Sequence, residues 1–557
     1  MSGVEPGESL PGEPLPGEPL PAERGGRWRG GNRHRVPRLP VVVAVVALLV
    51  AGGLIDRRSE TQTKPGGPVV RPMPAAAPLA AISSTWFCGG ALGQPAKVAD
   101  GQIVIANTLG RTLNGTVTFL ASAGSTAGTS PAPTTGAAAP GDTAAPATGA
   151  TPFAGESIPV TVGPRDRLVV PETASAKAAF VGASVELDGG GAAVQQVVTG
   201  AEGISSTACA STGSDHWYFA DGTTEEHSNL YLTLADPYSE DAIVDLSFST
   251  EQGQEAPADY QGIVISAGSV VGIDVGAHLR QRARVATTVA ARAGRVAAFQ
   301  TQVVTPAPAD QAPAPSGGAA TVTDASPPRP PGLSLLLGSP SPGTSWWWPQ
   351  GAADNGVTER YRIYNPGDTP AAVVLTVPLD EGSADPFKLA VAPHSVATVT
   401  TSNESRIPKG VGHSAILTSS NGVGVVAERT VDAVAPSAAL GLTDTLGSRL
   451  TSGSWLLPAG ASDPNYVASV IVQNPGLHPA RVAILGIQKG QNVPLEGLSG
   501  LAIPAGGRLV VVLNDHSSTF SEAVLVNATT DVVVERDETR TKGVGLDATM
   551  GVPAPAS

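Results

Sequence analysis

Apolar and polar residues alternate with a period of two through most of the chain beyond residue 80. In the run that ends at Asn365, Tyr361 and Ile363 fall on one side, whereas Arg360 and Arg362 fall on the other. This period is that of a β-strand with one buried face. Further short runs of this kind are bounded by Gly, Pro, Asn or Ser, as is typical of strands joined by turns. The pattern therefore predicts an all-β protein in which helix is nearly absent outside one N-terminal segment.

Four tryptophan-led motifs recur along this β-rich part of the chain. They read WFCGGA, WYFADG, WWWPQG and WLLPAG, and their first residues are Trp86, Trp217, Trp346 and Trp455. A turn-forming Asn or Asp follows each tryptophan at a nearly constant spacing, in the order Asn107, Asp236, Asn365 and Asn474. The last two units also end alike, in Glu428-Arg429 and Glu535-Arg536. These landmarks indicate internal repeats. At about seven short strands per unit they predict four tandem immunoglobulin-like β-sandwiches, each with its leading tryptophan in the core.

The repeats and the composition between them predict the domain boundaries. From the N-terminus we predict a disordered cytoplasmic tail (1–39), a transmembrane helix (40–56), a linker (57–80), sandwich unit 1 (81–205) with a low-complexity insertion (121–150), unit 2 (206–304), a Pro/Ala-rich linker (305–340), unit 3 (341–440) and unit 4 (441–550).

The segment from Pro40 to Ile55 is uncharged and apolar. It is somewhat shorter than an average membrane-spanning helix of ~20 residues. Six arginines lie in residues 24–38, before it, and only Arg57 and Arg58 follow closely. The positive-inside rule then predicts a single span with a cytoplasmic N-terminus and an extracytoplasmic C-terminal bulk. The alternative is a secretory signal peptide that is cleaved, which leaves the same bulk outside the membrane.

The W-x-x-P-x-G, N-P-G and V-x-E-R landmarks, behind one apolar segment in an Arg-rich chain, resemble an uncharacterised actinobacterial family, domain of unknown function 5719. The resemblance would cover roughly residues 80–550. It implies an exported or membrane-anchored envelope protein, and it supplies no catalytic residues to transfer.

The net charge argues against one class of partner, and the cysteine content predicts one disulfide. The formal net charge is −14, so the chain offers no electrostatic surface for nucleic acid, and we expect no nucleic-acid partner. The two cysteines, Cys88 and Cys209, both lie in the part predicted to be outside the membrane, where we expect them to form a disulfide.

No motif for a catalytic centre, a metal ion or a cofactor is found, so we predict none of these. Because the Glu-Arg dipeptides follow the repeat, we interpret them as ion pairs at strand ends. The one candidate ligand surface comprises Trp347, Trp348, Arg360 and Arg362, although their repeat context favours a packed Trp347.

The sequence therefore predicts a non-catalytic, membrane-anchored envelope protein whose repeats serve a structural or protein-interaction role. A cell-wall carbohydrate- or peptidoglycan-binding protein is the alternative, and an enzyme of wall metabolism is a remote one. The expected partners are the membrane and either a wall glycan or another envelope protein.

Overall fold

The computed structural model describes residues 74–93, 100–122, 156–172, 178–307, 329–351, 353–382, 384–460, 465–516 and 523–555. Residues 70–557 belong to one compact unit of the chain. The predicted tail and transmembrane helix, and nearly all of the insertion, lie outside the described residues. Among the described residues, no helix has the length and apolar character needed to cross a membrane.

The described residues form antiparallel sheets, and their helices are short 3-10 turns. The turns are η1 (Ala258–Tyr260), η2 (Val275–Ala277), η3 (Thr401–Asn403) and η4 (Leu513–Asp515). Unit 1 contains β1 (Ser84–Leu92), β2 (Asp100–Asn107), β3 (Leu113–Ala121), β4 (Ser157–Val162), β5 (Asp166–Pro171), β6 (Phe180–Leu187), β7 (Ala192–Gly200) and β8 (Gly203–Ala208). Unit 2 contains β9 (His216–Phe219), β10 (Ser228–Asp236), β11 (Ala242–Thr250), β12 (Gly253–Glu255), β13 (Ile263–Ile265), β14 (Ser269–Asp274), β15 (Val285–Ala293), β16 (Ala297–Val304) and β17 (Gly332–Leu337).

The last two units continue the same succession. Unit 3 contains β18 (Ser345–Gly351), β19 (Val357–Asn365), β20 (Ala371–Thr376), β21 (Phe387–Val391), β22 (Ser395–Thr400), β23 (His413–Ser419), β24 (Val426–Ala433) and β25 (Gly441–Leu446). Unit 4 contains β26 (Ser452–Leu457), β27 (Tyr466–Gln473), β28 (Ala480–Gln488), β29 (Gln491–Pro494), β30 (Leu501–Ile503), β31 (Arg508–Val512), β32 (Ala523–Arg540), β33 (Leu546–Met550) and β34 (Val552–Pro553).

Each unit has two sheets with the same strand order. In unit 1 the first sheet runs β1-β6-β3-β4 and the second runs β5-β2-β7-β8. Unit 3 repeats this order with β18-β23-β20-β21 and β22-β19-β24-β25. Unit 4 fuses the sixth and seventh strands into the long β32, which pairs in both sheets.

The repeat landmarks have structural roles that recur from unit to unit. All four leading tryptophans are at most 1% exposed. The indole Nε1 of Trp217, Trp346 and Trp455 donates to the carbonyl of Val296, Val425 and Val532, respectively. The turn-forming Asn365 accepts from the Gly367 amide and donates to the carbonyls of Thr369 and Val391. Asn474 forms the equivalent set. These bonds close the turn between the second and third strands.

We call the last strand of the second sheet in each unit its eighth strand, counting β12 and β13 as one and likewise β29 and β30; the four are β8, β17, β25 and β33. These strands require a correction of the predicted boundaries. β17 lies inside the segment 305–340 that was predicted to be a linker, yet it pairs with β16 and completes a sheet of unit 2. Likewise, β25 was assigned to unit 4 but pairs with β24 of unit 3, and β8 extends past residue 205. In each case the apolar run follows a turn and adds to the preceding sheet.

The eighth strands bring the four units together in a closed circuit of contacts. The Leu335 amide of β17 donates to Ser205 Oγ of β8 at 2.9 Å, and the Asp444 amide of β25 donates to Ser334 Oγ of β17 at 3.0 Å. The Ala548 amide of β33 donates to Thr443 Oγ1 of β25 at 3.1 Å. The Ser206 amide of β8 then donates to Asp547 of β33 at 2.8 Å, which joins the fourth unit to the first.

Cys88 and Cys209 are joined by a disulfide. Cys88 lies on β1 and Cys209 directly follows β8, so the bond ties the first strand of unit 1 to the residue after its last.

Candidate functional site

The four residues of the predicted ligand surface do not share a surface. Trp348 is fully buried in unit 3, where it meets the ring of Tyr361 edge to face. Trp347 is half-buried and packs against the core of unit 4. The side chains of Arg360 and Arg362 lie on β19, in the other sheet, and are at most 8% exposed. They do not form a ligand surface because all four side chains face neighbouring strands or units rather than solvent.

The Glu-Arg dipeptides do not form ion pairs within themselves, which corrects the strand-end interpretation. Adjacent residues on a strand point to opposite faces, so Glu428 and Arg429 face different neighbours. Glu428 accepts hydrogen bonds from the amides of Ala220 and Asp221 in unit 2. Arg429 instead pairs with Glu535 of unit 4 and donates to the carbonyl of Gln350.

The position of this glutamate marks a contact that is repeated between neighbouring units. Glu535 accepts from the amide of Gln350, at the end of the WWWPQG motif of unit 3, at 3.1 Å. Gln195, at the same repeat position in unit 1, accepts from Ala459 of the WLLPAG motif at 2.9 Å. We call Gln195, Glu428 and Glu535 the inter-unit acceptors. Each one accepts hydrogen bonds from backbone amides at the end of a neighbouring unit's tryptophan motif, where these donors are buried or part-buried.

Unit 2 has a phenylalanine, Phe299, in place of an inter-unit acceptor. A Cβ placed on Gly89 of the first motif would lie 2.9 Å from the Phe299 ring. The neighbouring Gly90 has a φ of +123°, which an L side chain rarely adopts. This packing explains why the first motif has two glycines, Gly89 and Gly90, where the third and fourth motifs have a proline and the residue after it.

A cavity of about 530 Å³ opens where unit 3 meets unit 4. We call it the 3–4 cleft. Its walls are β19 and β24 of unit 3 and β32 and β33 of unit 4, and its rim includes Asp354, Asn355 and the short side chains of residues 437–439. Glu359, Arg429 and Asp537 line it. It is the part of the described structure in which ionisable groups and open volume coincide most clearly.

The unit 3 wall of the 3–4 cleft holds a buried carboxylate. Glu359 Oε2 lies 2.8 Å from His413 Nε2, and both side chains are fully buried. Thr401 Oγ1 also donates to this oxygen, while the Tyr361 hydroxyl donates to Oε1. Burial alone would raise the pKa of Glu359, but His413, Arg429 and Thr401 outweigh it and lower the pKa overall. Glu359 is therefore held as a carboxylate.

The unit 4 wall carries two carboxyl groups in contact. Burial, followed by the charge of Glu535, raises the pKa of Asp537 well above its usual value. Burial also raises the pKa of Glu535, although Arg429 opposes the shift. Asp537 Oδ1 is buried without a hydrogen-bond partner, as is Arg429 Nε. The pair therefore holds a proton more tightly than free carboxyl groups do.

The contact between units 2 and 3 gathers a second group of charges. Arg329 lies between Asp432 and Asp444, with nitrogen–oxygen distances of 2.9 and 2.7 Å. Arg360 also pairs with Asp432, and Arg362 Nε lies 3.3 Å from Asp221. All of these side chains are at most 8% exposed. The cluster is closed by its own ion pairs, because each arginine faces a carboxylate.

In the described part of the chain, no group of three or more His, Cys, Asp or Glu side chains is arranged to hold a metal ion. The sequence did not identify the 3–4 cleft, because its carboxyl groups come from strands far apart along the chain, Glu359 on β19 and Asp537 on β32. The signal present was Asp537 itself, an acidic residue two positions beyond the glutamate of a landmark.

The profile of a family of unknown function, DUF5719, matches residues 169–324, which confirms the predicted resemblance over that segment. No curated protein matches this chain. A crystal structure of Thermotoga maritima 1070 is 22% identical and covers 19% of this chain and 94% of its own, with a TM-score of 0.18. Streptomyces avermitilis alpha-L-rhamnosidase, solved with L-rhamnose, is 10% identical over 63% of this chain and 49% of its own, with a TM-score of 0.10. Such low TM-scores carry no conclusion about fold or function.

Proposed function

We propose that the protein is a membrane-anchored, extracytoplasmic scaffold of four immunoglobulin-like sandwiches whose role is structural or lies in binding other envelope proteins. The observation that carries the proposal is the closed circuit of contacts between units. The inter-unit acceptors and the eighth strands join neighbouring units through hydrogen bonds that are buried or part-buried. A rigid frame of this kind suits a protein that presents loops and faces to partners.

Two further observations support the location. A disulfide persists in oxidising compartments and is rare in the cytosol. The apolar segment 40–56, preceded by arginines, has the charge bias of a span with a cytoplasmic N-terminus. Cleavage after this segment would release the same scaffold as a secreted protein.

Topology is tested with reporters fused after Ser557 of the full chain. Alkaline phosphatase should be active and green fluorescent protein dark, because the first requires an oxidising compartment and the second, after export in unfolded form, does not mature. Carbonate extraction should leave the chain in the membrane pellet. The reverse reporter pattern would overturn the proposal, and a soluble chain lacking residues 1–56 would replace the anchor with a cleaved signal.

The partner class is tested by crosslinking intact cells and comparing captured envelope proteins with binding to purified wall glycan. We expect envelope proteins to be captured. Saturable binding to purified wall glycan, with no envelope protein captured, would instead favour the carbohydrate-binding alternative.

A further inference from the structure

The contact between units 2 and 3 shows how this scaffold accommodates a cation between units. Arg329 comes from the segment before β17 and places its guanidinium between Asp432 and Asp444. Its Nη1 and Nη2 donate to the two oxygens of Asp444, and its Nε donates to Asp432. Bidentate pairing of this kind compensates for the removal of the charges from water.

The 3–4 cleft lies at the equivalent contact between the next two units, so the two contacts can be compared position by position. Asp432 lies four positions after Glu428, and Asp537 lies two positions after Glu535, on the same face of equivalent strands. Asp444 is paired across the sheet with Thr430, the repeat equivalent of Asp537. The carboxyl groups at the two contacts therefore occupy neighbouring positions on the same face of the second sheet.

The two contacts differ in how their carboxyl groups are matched. Between units 2 and 3, Arg329 fills the space and pairs with both aspartates. In the 3–4 cleft, Arg429 is matched by Glu535, and Glu359 by His413. Asp537 shares a side-chain hydrogen bond with Glu535 and lies within the influence of Arg429, but among the described residues it forms no salt bridge and its Oδ1 has no hydrogen-bond partner. Asp354 adds a second carboxyl group at the open rim.

We propose that the 3–4 cleft binds an organic cation, a guanidinium or ammonium group, which lies against Asp537 as Arg329 lies against Asp432 and Asp444. The cavity of about 530 Å³ is within the size range of small-ligand sites, and it is open to solvent at its rim. The cation comes either from a free amine or from a basic side chain of a partner protein. Both sources present the same chemistry to the cleft.

Binding changes the protonation of Asp537. The charged groups that act on it are Glu535 on its own strand, Asp547 on β33 and Arg429 on β24, with burial as the largest influence. Burial and the two carboxyl groups raise its pKa, and a bound cation lowers it again. Binding therefore releases a proton, and affinity rises with pH through the range in which Asp537 ionises.

The test is calorimetric titration of the full chain in detergent at pH 8 with butylguanidine and its neutral isostere butylurea. We expect saturable binding of butylguanidine and affinity at least about tenfold lower for butylurea. Asp537→Asn should weaken butylguanidine binding by about tenfold or more. Asp531→Asn, an exposed aspartate on the same strand, should leave it unchanged. Repeating the titration in buffers of different ionisation enthalpy should show proton release that Asp537→Asn abolishes.

The outcomes that overturn the proposal are equal affinity for butylguanidine and butylurea, or unchanged binding in Asp537→Asn. Folding of each variant is checked by its thermal transition. If Asp537→Asn does not fold, Asp354→Asn at the exposed rim takes its place, and unchanged binding there counts equally against the proposal.

Two further ligands separate the sources of the cation. A blocked peptide with a central arginine is compared with the same peptide containing citrulline. Binding of the arginine peptide more tightly than butylguanidine indicates a partner's side chain, whereas binding of butylguanidine alone indicates a free amine. If neither cation binds, the proposal is wrong.

Discussion

Asp236 occupies the position at which the other three units carry a turn-forming asparagine. Like those asparagines, it accepts a hydrogen bond from the amide two positions later, here that of Tyr238. A carboxylate cannot donate, however, and Asp236 Oδ2 is buried without a partner. Burial therefore raises the pKa of Asp236 to about 6. With aspartate in place of asparagine, the turn of the second unit has fewer hydrogen bonds than the turns of the other units.

Asp236→Asn should stabilise the protein at neutral pH. A carboxyl group whose pKa is raised on folding stabilises fully below its unfolded value, near 3.8, and loses that contribution as pH rises through about 6. At pH 8 we expect the variant to gain about 2 kcal/mol in free energy of unfolding, with a smaller gain at pH 4. Urea titrations at the two pH values check this. A gain of the same size at both would show that ionisation of Asp236 is not the cause.

At the scale of the strand, Glu428 shows what an inter-unit acceptor requires. It accepts from two buried amides, those of Ala220 and Asp221, and burial raises its pKa well above the usual value. Gln195 fills the same role in unit 1 with a neutral amide oxygen. Hydrogen-bond acceptance, rather than charge, is therefore what the position needs.

Glu428→Ala should lower the free energy of unfolding by about 2–4 kcal/mol, because two buried N–H groups lose their acceptor. Glu428→Gln, the matched control, should stay within about 1 kcal/mol of the natural protein at pH 5. Its free energy of unfolding should exceed that of the natural protein as pH rises. The reason is that the natural protein loses stability as pH rises through the raised pKa of Glu428, whereas glutamine does not titrate. Chemical denaturation of the three proteins measures this. An alanine variant as stable as the natural protein would contradict the role of the acceptor.

The sequence was sufficient for the strands, the turns and the four tryptophan positions, because local periodicity and turn chemistry determine them. It was not sufficient for the eighth strands. The run Gly332–Leu337 sits beside a Pro/Ala-rich segment, and its membership of unit 2 depends on pairing with β16, which no local pattern encodes. The 3–4 cleft was missed for the same reason, since its walls meet only when two units pack.

The disulfide should be a large contributor to the stability of the first unit. Cys88 and Cys209 have a sequence separation of 121, and closing a loop of that length stabilises by up to about 5 kcal/mol in the chain-entropy account. A Cys88→Ser/Cys209→Ser double variant should therefore unfold at a lower urea concentration. Reductant should lower the midpoint of the natural protein but not that of the variant. An unchanged midpoint in the variant would contradict the prediction.

At the scale of the whole molecule, Asp547 closes the circuit between the fourth and first units. It accepts from the Ser206 amide at 2.8 Å and from the hydroxyls of Ser205 and Ser206. It also lies 3.7 Å from Arg536. This one carboxylate near the C-terminus therefore satisfies donors on a strand of the first unit.

Asp547→Ala should weaken the contact between the first and fourth units on both sides, at β8 and at β33. The buried donors on β8 lose their acceptor, at a cost of about 1–3 kcal/mol each. Hydrogen exchange should accelerate at Ser206 and along β33, and a single thermal transition should broaden or split. Asp531→Ala, at an exposed position on β32, should leave exchange there unchanged. Faster exchange confined to β33 would show that the first unit does not depend on this contact.

The closed circuit also means that the contacts of the first unit with the fourth form only after the fourth unit has been synthesised. A ribosome makes Ser206 long before Asp547, and at about 5–20 residues per second the interval is roughly 20 to 70 s. During this time the face of β8 that will meet β33 has no partner. The nascent first unit is thus complete in its own strands but not in its contacts until Asp547 and the rest of β33 have been made.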